Sequence, residues 1–314
     1  MAPSAIEPHL SPGLMSAIAH AYYVEDESKV AIAKTHGISR FQVARLLQRA
    51  REQGLVRIDI RSADGVNVGL SSELREALGL TAAWVVEPDE EDPVELVGST
   101  MARVLESTVQ TGEVIGMNWS RALVTMTRHL TRLPRCTTVQ LAGHAAIGTD
   151  LPDTSELVRR IARASGGDAF PIPAPLLVTD EAALRSLLGQ PAIAAATAMF
   201  DSIDTAAISV GAWTAGESTV HASASERDRT QADAHGVVGE VNGRLFDQTG
   251  APVENVIGNR VLGIHLDQLT RVPRLLAGAF GEVRAEATIA AVRAGYVNEL
   301  VADRALAEAI LARY

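Results

Sequence analysis

From Gly13 to Val24 the apolar positions Leu14, Ile18, Ala21 and Tyr22 recur at helical spacing, and the pattern predicts an amphipathic helix. The acidic run Glu25-Asp26-Glu27 separates it from a second, short helix over Ser28 to His36, with Val30, Ile32 and Ala33 expected to be buried. Gly37 offers the left-handed conformation of a tight helical turn. Ser39 stands where it can cap a third helix. Across Arg40 to Gln53 the residues Val43, Leu46, Leu47 and Ala50 form an apolar stripe that leaves Arg40, Gln42, Arg45 and Arg49 to solvent, and Gly54 ends it. Val56 to Ile60 then alternates apolar and charged residues, as a short strand or wing does.

Arg61 to Leu80 reads as a linker with a short helix, Ser71 and Ser72 offering a cap and Leu74, Ala77 and Leu78 an apolar face. Beyond it the period switches back and forth. Ala82 to Val86, Val114 to Asn118, Thr138 to Ala142 and Ala206 to Val210 read as buried strands, with helices such as Val94 to Thr108 and Ser155 to Ser165 between them. That alternation predicts an α/β domain with a doubly wound, parallel sheet covered by helices on both faces. Three regions are therefore expected: residues 1–61, a linker over 62–80, and residues 81–314.

Composition removes whole classes of chemistry. At 314 residues, 47% hydrophobic and 21% charged, the chain has ordinary globular usage and room for a large core, which its 4% aromatic content makes aliphatic. No apolar run reaches the ~20 residues of a membrane span, and no secretory signal is visible, so a cytoplasmic protein without a membrane partner is expected. Cys136 is the only cysteine, which excludes an internal disulfide and a cysteine-cluster metal site. Lys29 and Lys34 are the only lysines, so no Schiff-base, Walker-A or general-base lysine exists beyond them.

The net charge of −10 is unevenly placed. Ser28 to Arg61 carries eight basic residues against Glu52 and Asp59, a net of +6, which leaves −16 on the remainder. A basic end on an acidic body suggests that one end meets a polyanion. A short helix, a glycine turn and a capped basic helix form a helix-turn-helix pattern, in which Arg can pair with guanine, Gln with adenine, and Ser39 with phosphate. A helical dimerisation module with a charged face fits the same pattern.

The stretch IAKTHGISRFQVARLLQRAREQGLVRIDI, residues 32–60, resembles the winged-helix start of SorC-type sugar-responsive transcription regulators. The resemblance implies operator binding through Lys29, Lys34, Ser39, Arg40, Phe41, Gln42, Arg45 and Arg49. Phe41, Gln42 and Ala44 depart from the Pro, Thr and Ser common in that family, which bears on the bases read.

A strand running straight into a helix at Val114-Ile115-Gly116-Met117-Asn118-Trp119-Ser120-Arg121 is the best place for a ligand. A helix N-terminus with a hydroxyl and a guanidinium suits phosphate or carboxylate, although a well-packed turn with Arg121 paired to a surface carboxylate fits the spacing equally. Gly143 and His144 follow another strand and could supply a second loop. The blocks VIGMNWSRAL, VQLAGHAAIG, PDTSELVRRIARASGG, IPAPLLV, HGVVGEVNGRLFDQTG and GAFGEVRAEATIAAVRAGYVNELVADRALA resemble the SorC-type effector domain, so the resemblance extends over nearly the whole chain from about residue 15. It implies a Rossmann-like domain similar to glucosamine-6-phosphate deaminase and sugar-phosphate isomerases that binds a sugar, polyol or sugar phosphate without turning it over. Carried across motif by motif, it implies an effector site at Asn118, Trp119, Ser120 and Arg121, at Gly143 and His144, at Glu240, and at Gly281, Arg284 and Asp303. Ser120 and Ala122 stand where the family has Gly and Thr, and Arg284 where it has Lys. Arg binds phosphate with a fork, but it cannot hold an aldehyde covalently.

Other residues carry less. The eight histidines form no metal-ligand spacing, and no G-x-S-x-G elbow exists. No cofactor is expected. Thr214 to His235 is polar and reads as a mobile loop, either merely solvated or a lid over the effector. The expected function is a DNA-binding regulator of carbohydrate or polyol metabolism, not an enzyme, working as a homodimer because one helix-turn-helix reads only a half-site, while the resemblance implies a homotetramer built from such dimers. The alternative is a sugar-phosphate isomerase or deaminase with an accessory helical module, which would need an acid/base pair such as Glu240 and Asp303.

Overall fold

The computed structural model describes residues 12–56, 65–87, 92–144 and 153–314. Its chain divides into two compact units, Met1–Asp59 and Ile60–Tyr314.

The first unit contains α1 (Pro12–Tyr23), α2 (Lys29–His36) and α3 (Arg40–Glu52). Ser28 caps α2 by accepting from Ala31 N at 3.1 Å, and Gly37 ends it at φ +64°. Ser39 and Gln42 form a reciprocal capping box on α3: the Ser39 hydroxyl accepts from Gln42 N at 3.2 Å, and Gln42 Oε1 accepts from Ser39 N at 2.8 Å. Ile18, Ile32, Val43, Leu46, Leu47 and Ala50 form the shared core. Val30, expected to be buried, is 66% exposed, because the stripe of this short helix runs through Ile32 and Ala33 instead. The expected wing lies outside the described residues, apart from Val56.

The second unit is a mixed α/β fold. Its strands are β1 (Val66–Asn67), β2 (Ala82–Val86), β3 (Val114–Met117), β4 (Thr137–Gln140), β5 (Ala169–Phe170) and β6 (Thr205–Ser209), then β7 (Gly211–Ala212), β8 (Val237–Val241), β9 (Arg244–Asp247), β10 (Arg274–Ala279) and β11 (Glu299–Asp303). Among the described residues the main sheet runs β1-β2-β11-β10-β6-β3-β4-β5, parallel throughout except for β1. A smaller antiparallel sheet, β7-β8-β9, stands beside it.

Alternation along the strands divides the core into two layers. Leu275 and Ala277 of β10 face one layer and Leu276 the other; Ala206 and Ile208 of β6 are likewise separated from Ala207. The first layer is covered by α4 (Val68–Leu78) and by two helices near the C-terminus, numbered below; the second by α5 (Pro93–Thr108), α6 (Arg121–His129) and α7 (Thr154–Ser165). Expected strand positions agree with β2, β3, β4 and β6 to within two residues. The linker expectation does not hold from Val66 onward. Leu70 and Leu74 are buried in the first layer, and Asn67 caps α4 by accepting from Leu70 N at 2.9 Å, so this stretch belongs to the sheet unit.

Between β5 and β8 lie α8 (Glu181–Leu188), α9 (Pro191–Thr197), α10 (Thr219–Ser223) and α11 (Glu226–Ala234). The last two occupy the stretch expected to be a mobile loop. Val220, Ala224 and Ala232 anchor them in a third apolar cluster with Trp213, Leu245 and Ile257, and an Asp228–Arg260 ion pair at 2.6 Å secures α11. The remaining helices are α12 (Glu254–Ile257), α13 (Leu266–Leu269), α14 (Ala285–Arg293) and α15 (Arg304–Leu311), of which α14 and α15 complete the cover of the first layer.

Arg244, at the start of β9, is 2% exposed and holds this end of the unit together. Its guanidinium donates to the carbonyls of Gly258 (2.7 Å), Val261 (3.2 Å), Gly263 (3.1 Å) and Ile264 (3.3 Å). Burial lowers its pKa, Glu254 and Asp267 opposing the shift, yet an arginine remains charged. Arg244→Met should therefore destabilise the unit by about 3 kcal/mol, since four carbonyls lose their donor. Urea unfolding followed by the fluorescence of Trp84, Trp119 and Trp213, all in this unit, checks it; a loss below about 1 kcal/mol would mean that the carbonyls find other donors.

Candidate functional site

The chain moves outward from β3 through β4 to β5 in one direction, and from β6 through β10 to β11 in the other. The connections part between β3 and β6, and the carboxyl ends of these strands frame a crevice. A cavity of about 190 Å³ lies there, small compared with the ~300–1,000 Å³ of drug-sized sites. Trp119, Ser120 and Arg121 line it after β3, Ser209 to Gly211 after β6, and Phe280 and Arg284 after β10. Glu217, Ser218 and Thr219 close it from above β7, and Glu240 enters from β8.

Ser120 is the N-cap of α6, its hydroxyl accepting from Leu123 N at 3.2 Å. This leaves the exposed Arg121 at the first turn, where the helix dipole already favours an anion. The guanidinium of Arg121 stacks over the Phe280 ring at 5.3 Å, and that of Arg284 over the same ring at 4.6 Å. Arg284 is buried and tied down: it donates to Phe280 O at 2.7 Å and Glu217 O at 3.2 Å, and pairs with Glu217 Oε2 at 2.7 Å. Burial lowers its pKa most, the Glu217 carboxylate works against that, and Arg121 adds to it. Glu217 thus occupies the position on Arg284 that an anionic ligand would take.

Glu240 is buried. Its Oε1 accepts from Ser218 Oγ at 3.1 Å and its Oε2 from Gly243 N at 3.0 Å. The Ser218 oxygen also accepts from Val220 N and His221 N, so its own proton is committed to Glu240. A Cβ at Gly211 would overlap Glu240 Oε1, which is why β7 begins with glycine. Burial raises the Glu240 pKa, against the bonds from Gly243 and Ser218 and the charge of Arg284.

Of the residues expected from sequence, Trp119, Ser120, Arg121, Glu240 and Arg284 meet at this cavity. Asn118 and Gly143 line a second, smaller one that shares Trp119, Ser209, Thr219 and Glu240 with the first. The Gly143 amide is committed to Leu262 O at 2.9 Å, and a Cβ there would strike the Pro175 carbonyl, so this glycine serves close backbone packing. His144 lines neither cavity, and its backbone bridges to Pro175 and its neighbours. Gly281 and Asp303 stand behind the site: Asp303 Oδ1 accepts from Gly281 N and from Leu306 N, both at 3.0 Å, and so fixes the turn that presents Phe280 and Arg284. Glu217, Ser218 and Phe280 were not among the expected ligands, and nothing local in the sequence marks Glu217. Among the described residues no cluster of acidic, histidine or cysteine side chains could hold a metal ion, and no helix is long and apolar enough to cross a membrane.

The family model described as "Putative sugar-binding domain" matches residues 66–312, which spans the whole α/β unit described above. The chain belongs to this family, that of the SorC-type regulators. It is 28% identical over 303 residues to the transcriptional regulator YjhU of Escherichia coli K12, covering 93% of this chain and 92% of that one. It is 25% identical over 307 residues to the sorbitol operon regulator of Klebsiella pneumoniae, covering 95% and 97%. The crystal structure of full-length SorC from Klebsiella pneumoniae superposes with a TM-score of 0.73 at 24% identity, over 95% of this chain and 98% of that one, and shares its fold.

A buried carboxyl with a raised pKa has a signature in this family member. Stability from Glu240 is fully present below the unfolded carboxylate pKa and falls as pH rises through the higher folded value, because the folded state then carries a buried charge. Glu240→Gln removes that slope. The melting temperature of the variant relative to the parent should therefore rise from pH 4.5 to pH 8; a difference that stays flat across the range would show that Glu240 is ionised throughout.

Proposed function

We propose that the protein is a DNA-binding transcriptional regulator of carbohydrate or polyol metabolism, controlled by a sugar, polyol or sugar phosphate bound in its α/β unit. The observation that carries this reading is that a family cavity with two arginines and a buried carboxyl sits on the same chain as a basic, capped helix pair. The helices α2 and α3, joined through Gly37, are a helix-turn-helix in this reading, and residues 1–61 form a winged DNA-binding domain. Arg40, Arg45 and Arg49 are exposed on α3, Lys29 and Lys34 on α2, and Phe41 is 66% exposed with the Arg40 guanidinium 4.9 Å over its ring. In a major groove Phe41 would meet a thymine methyl, while the arginines reach phosphates and guanine edges. Gln42 has a different part from the adenine contact expected of it, since the capping box uses its Oε1. Two copies would read half-sites one helical turn apart, which makes a dimer or tetramer the working form.

The enzyme reading fares worse on geometry. Both Glu240 oxygens already accept hydrogen bonds, and Asp303 is buried as the cap of α15, outside the cavity lining. The two carboxyls do not converge on one substrate position as an acid/base pair must. Sugar binding without turnover, with the bound state shifting an equilibrium between DNA-competent and incompetent arrangements, suits the site better.

The test is fluorescence anisotropy on a duplex from the gene's own upstream region, across a salt series, with a panel of sugars, polyols and their phosphates added in turn. One compound should change the DNA affinity and be recovered unaltered. Arg45→Ala should weaken DNA binding about tenfold and lower the salt slope by about one, while leaving the thermal shift given by that compound unchanged. DNA binding equal to the parent at every salt concentration would remove Arg45 from the interface, and consumption of the compound without DNA binding would restore the enzyme reading.

A further inference from the structure

The smaller cavity, about 30 Å³, is lined by two asparagines with buried polar atoms that have no hydrogen-bond partner. Asn118, 6% exposed, has a buried Oδ1 without a hydrogen-bond partner; Asn242, 4% exposed, has neither Oδ1 nor Nδ2 satisfied. Asn242 and Gly243 form the tip of the β8–β9 hairpin, at φ +54° and +81°. Asn-Gly is a favoured pair for such a turn, which explains the backbone. It does not explain the side chain. Hairpin tips normally point to water, and Gly-Gly would make the same turn without burying an amide. An unpaired buried amide is costly, and three such atoms facing one cavity call for a partner there, a water or a ligand hydroxyl.

We propose that Asn242, with Asn118 and Glu240, forms a hydroxyl-reading subsite that takes the polyhydroxyl end of the effector, and that Asn242 is its specificity-determining residue. This rests on the effector reading above and deepens it. Two amide oxygens accept and one amide nitrogen donates, a set that matches hydroxyl groups, each of which can do both. An anionic group would meet two amide oxygens and find only the Asn242 Nδ2 as an unpaired donor, a poorer match than a hydroxyl, which both donates and accepts. The cations lie elsewhere: Arg121 and Arg284 line the larger cavity only. Trp119, Ser209, Thr219 and Glu240 are walls of both cavities, so one small molecule can reach from the arginines to the amides. The effector class that fits is therefore an elongated, polyhydroxylated molecule with hydroxyls on at least two adjacent carbons at the end away from the arginines. An effector whose hydroxyls are replaced by hydrogen or methyl at that end would leave three buried polar atoms unmet.

The decisive variant is Asn242→Gly, which keeps a turn that glycine readily adopts and deletes the amide. The probes are glucitol, mannitol, xylitol and glucitol 6-phosphate, with inorganic phosphate as the ligand of the arginine end alone, measured by calorimetry on the full-length protein. The expected result is that a polyol or its phosphate binds the parent, loses about 10- to 100-fold in affinity to Asn242→Gly, and that Asn118→Ala loses affinity in the same direction. Inorganic phosphate binding should stay within about twofold, the melting temperature of the unliganded variant within about 3 °C, and DNA affinity unchanged. An unchanged polyol affinity in Asn242→Gly overturns the proposal, the amide then being satisfied by a buried water. Equal losses for inorganic phosphate and polyol also overturn it, since the amide would then be shaping the whole site. If no polyhydroxyl probe binds the parent while operator DNA does, the subsite falls and the regulator stands; if a probe is consumed and DNA is not bound, the functional reading itself falls.

Discussion

The buried guanidinium of Arg244 is the contact on which the frame of the candidate site depends. It gathers the carbonyls of Gly258, Val261, Gly263 and Ile264 onto the first residue of β9. The same segment pairs with the end of β4: Ile264 N donates to Leu141 O at 2.8 Å, and Gly143 N to Leu262 O at 2.9 Å. Two walls of the smaller cavity, Ala142–Gly143 and the Asn242–Gly243 tip, are thus tied to one another through this buried side chain and the backbone bonds of the segment it gathers. An apolar residue of similar size could fill the space, but it could not satisfy four converging carbonyls. The role of the arginine there is geometric, and the desolvation of its charge is offset by those bonds and by Glu254 at 3.6 Å.

Charge in the site is arranged in sequence along its length. Arg121 and Arg284 share the Phe280 ring, Glu217 neutralises the inner of the two, and Glu240 lies beyond, held by a serine and a backbone amide. The Glu217 carboxylate on Arg284 lowers the cost of keeping two guanidinium groups beside one another. Glu217 lies in the turn that leads into α10, with Ser218 as the helix cap, so the residue that neutralises Arg284 and the residue that holds Glu240 are neighbours in the chain. A ligand that competes for Arg284 must act on the same turn that positions Glu240.

Much of this was legible in the sequence, for identifiable reasons. The capped helices of the first unit and strands β2, β3, β4 and β6 declare themselves because each buries a face with a strict period, and Ser39 and Gly37 punctuate the chain where the geometry demands. Trp119, Ser120, Arg121, Glu240 and Arg284 follow from motif and strand-end position together. What was missed depends on tertiary contact. Val66–Leu78 read as a linker because its apolar face, Leu70 and Leu74, is short and meets a partner far along the chain. Glu217 carries no local signal at all, since its meaning comes only from Arg284. Asp303 and Gly281 stand in a recognisable motif, yet they shape the site from behind. The burial of the Asn242 amide likewise comes only from tertiary contact.

The absence of lysine from the second unit bears on how its cavity can hold a ligand. With no lysine after Lys34, no imine can form, and any effector is held by hydrogen bonds and charge alone. Occupancy then follows concentration reversibly, and the free energy available to shift the protein between states is the difference in affinity for them. That difference must come from groups whose partners change on binding. Asn118 and Asn242 have unmet polar atoms to satisfy, and Glu217 has a partner to lose. The rest of the site, from the Ser120 cap to the Asp303 clamp, is already satisfied and serves as a fixed frame against which those few groups respond.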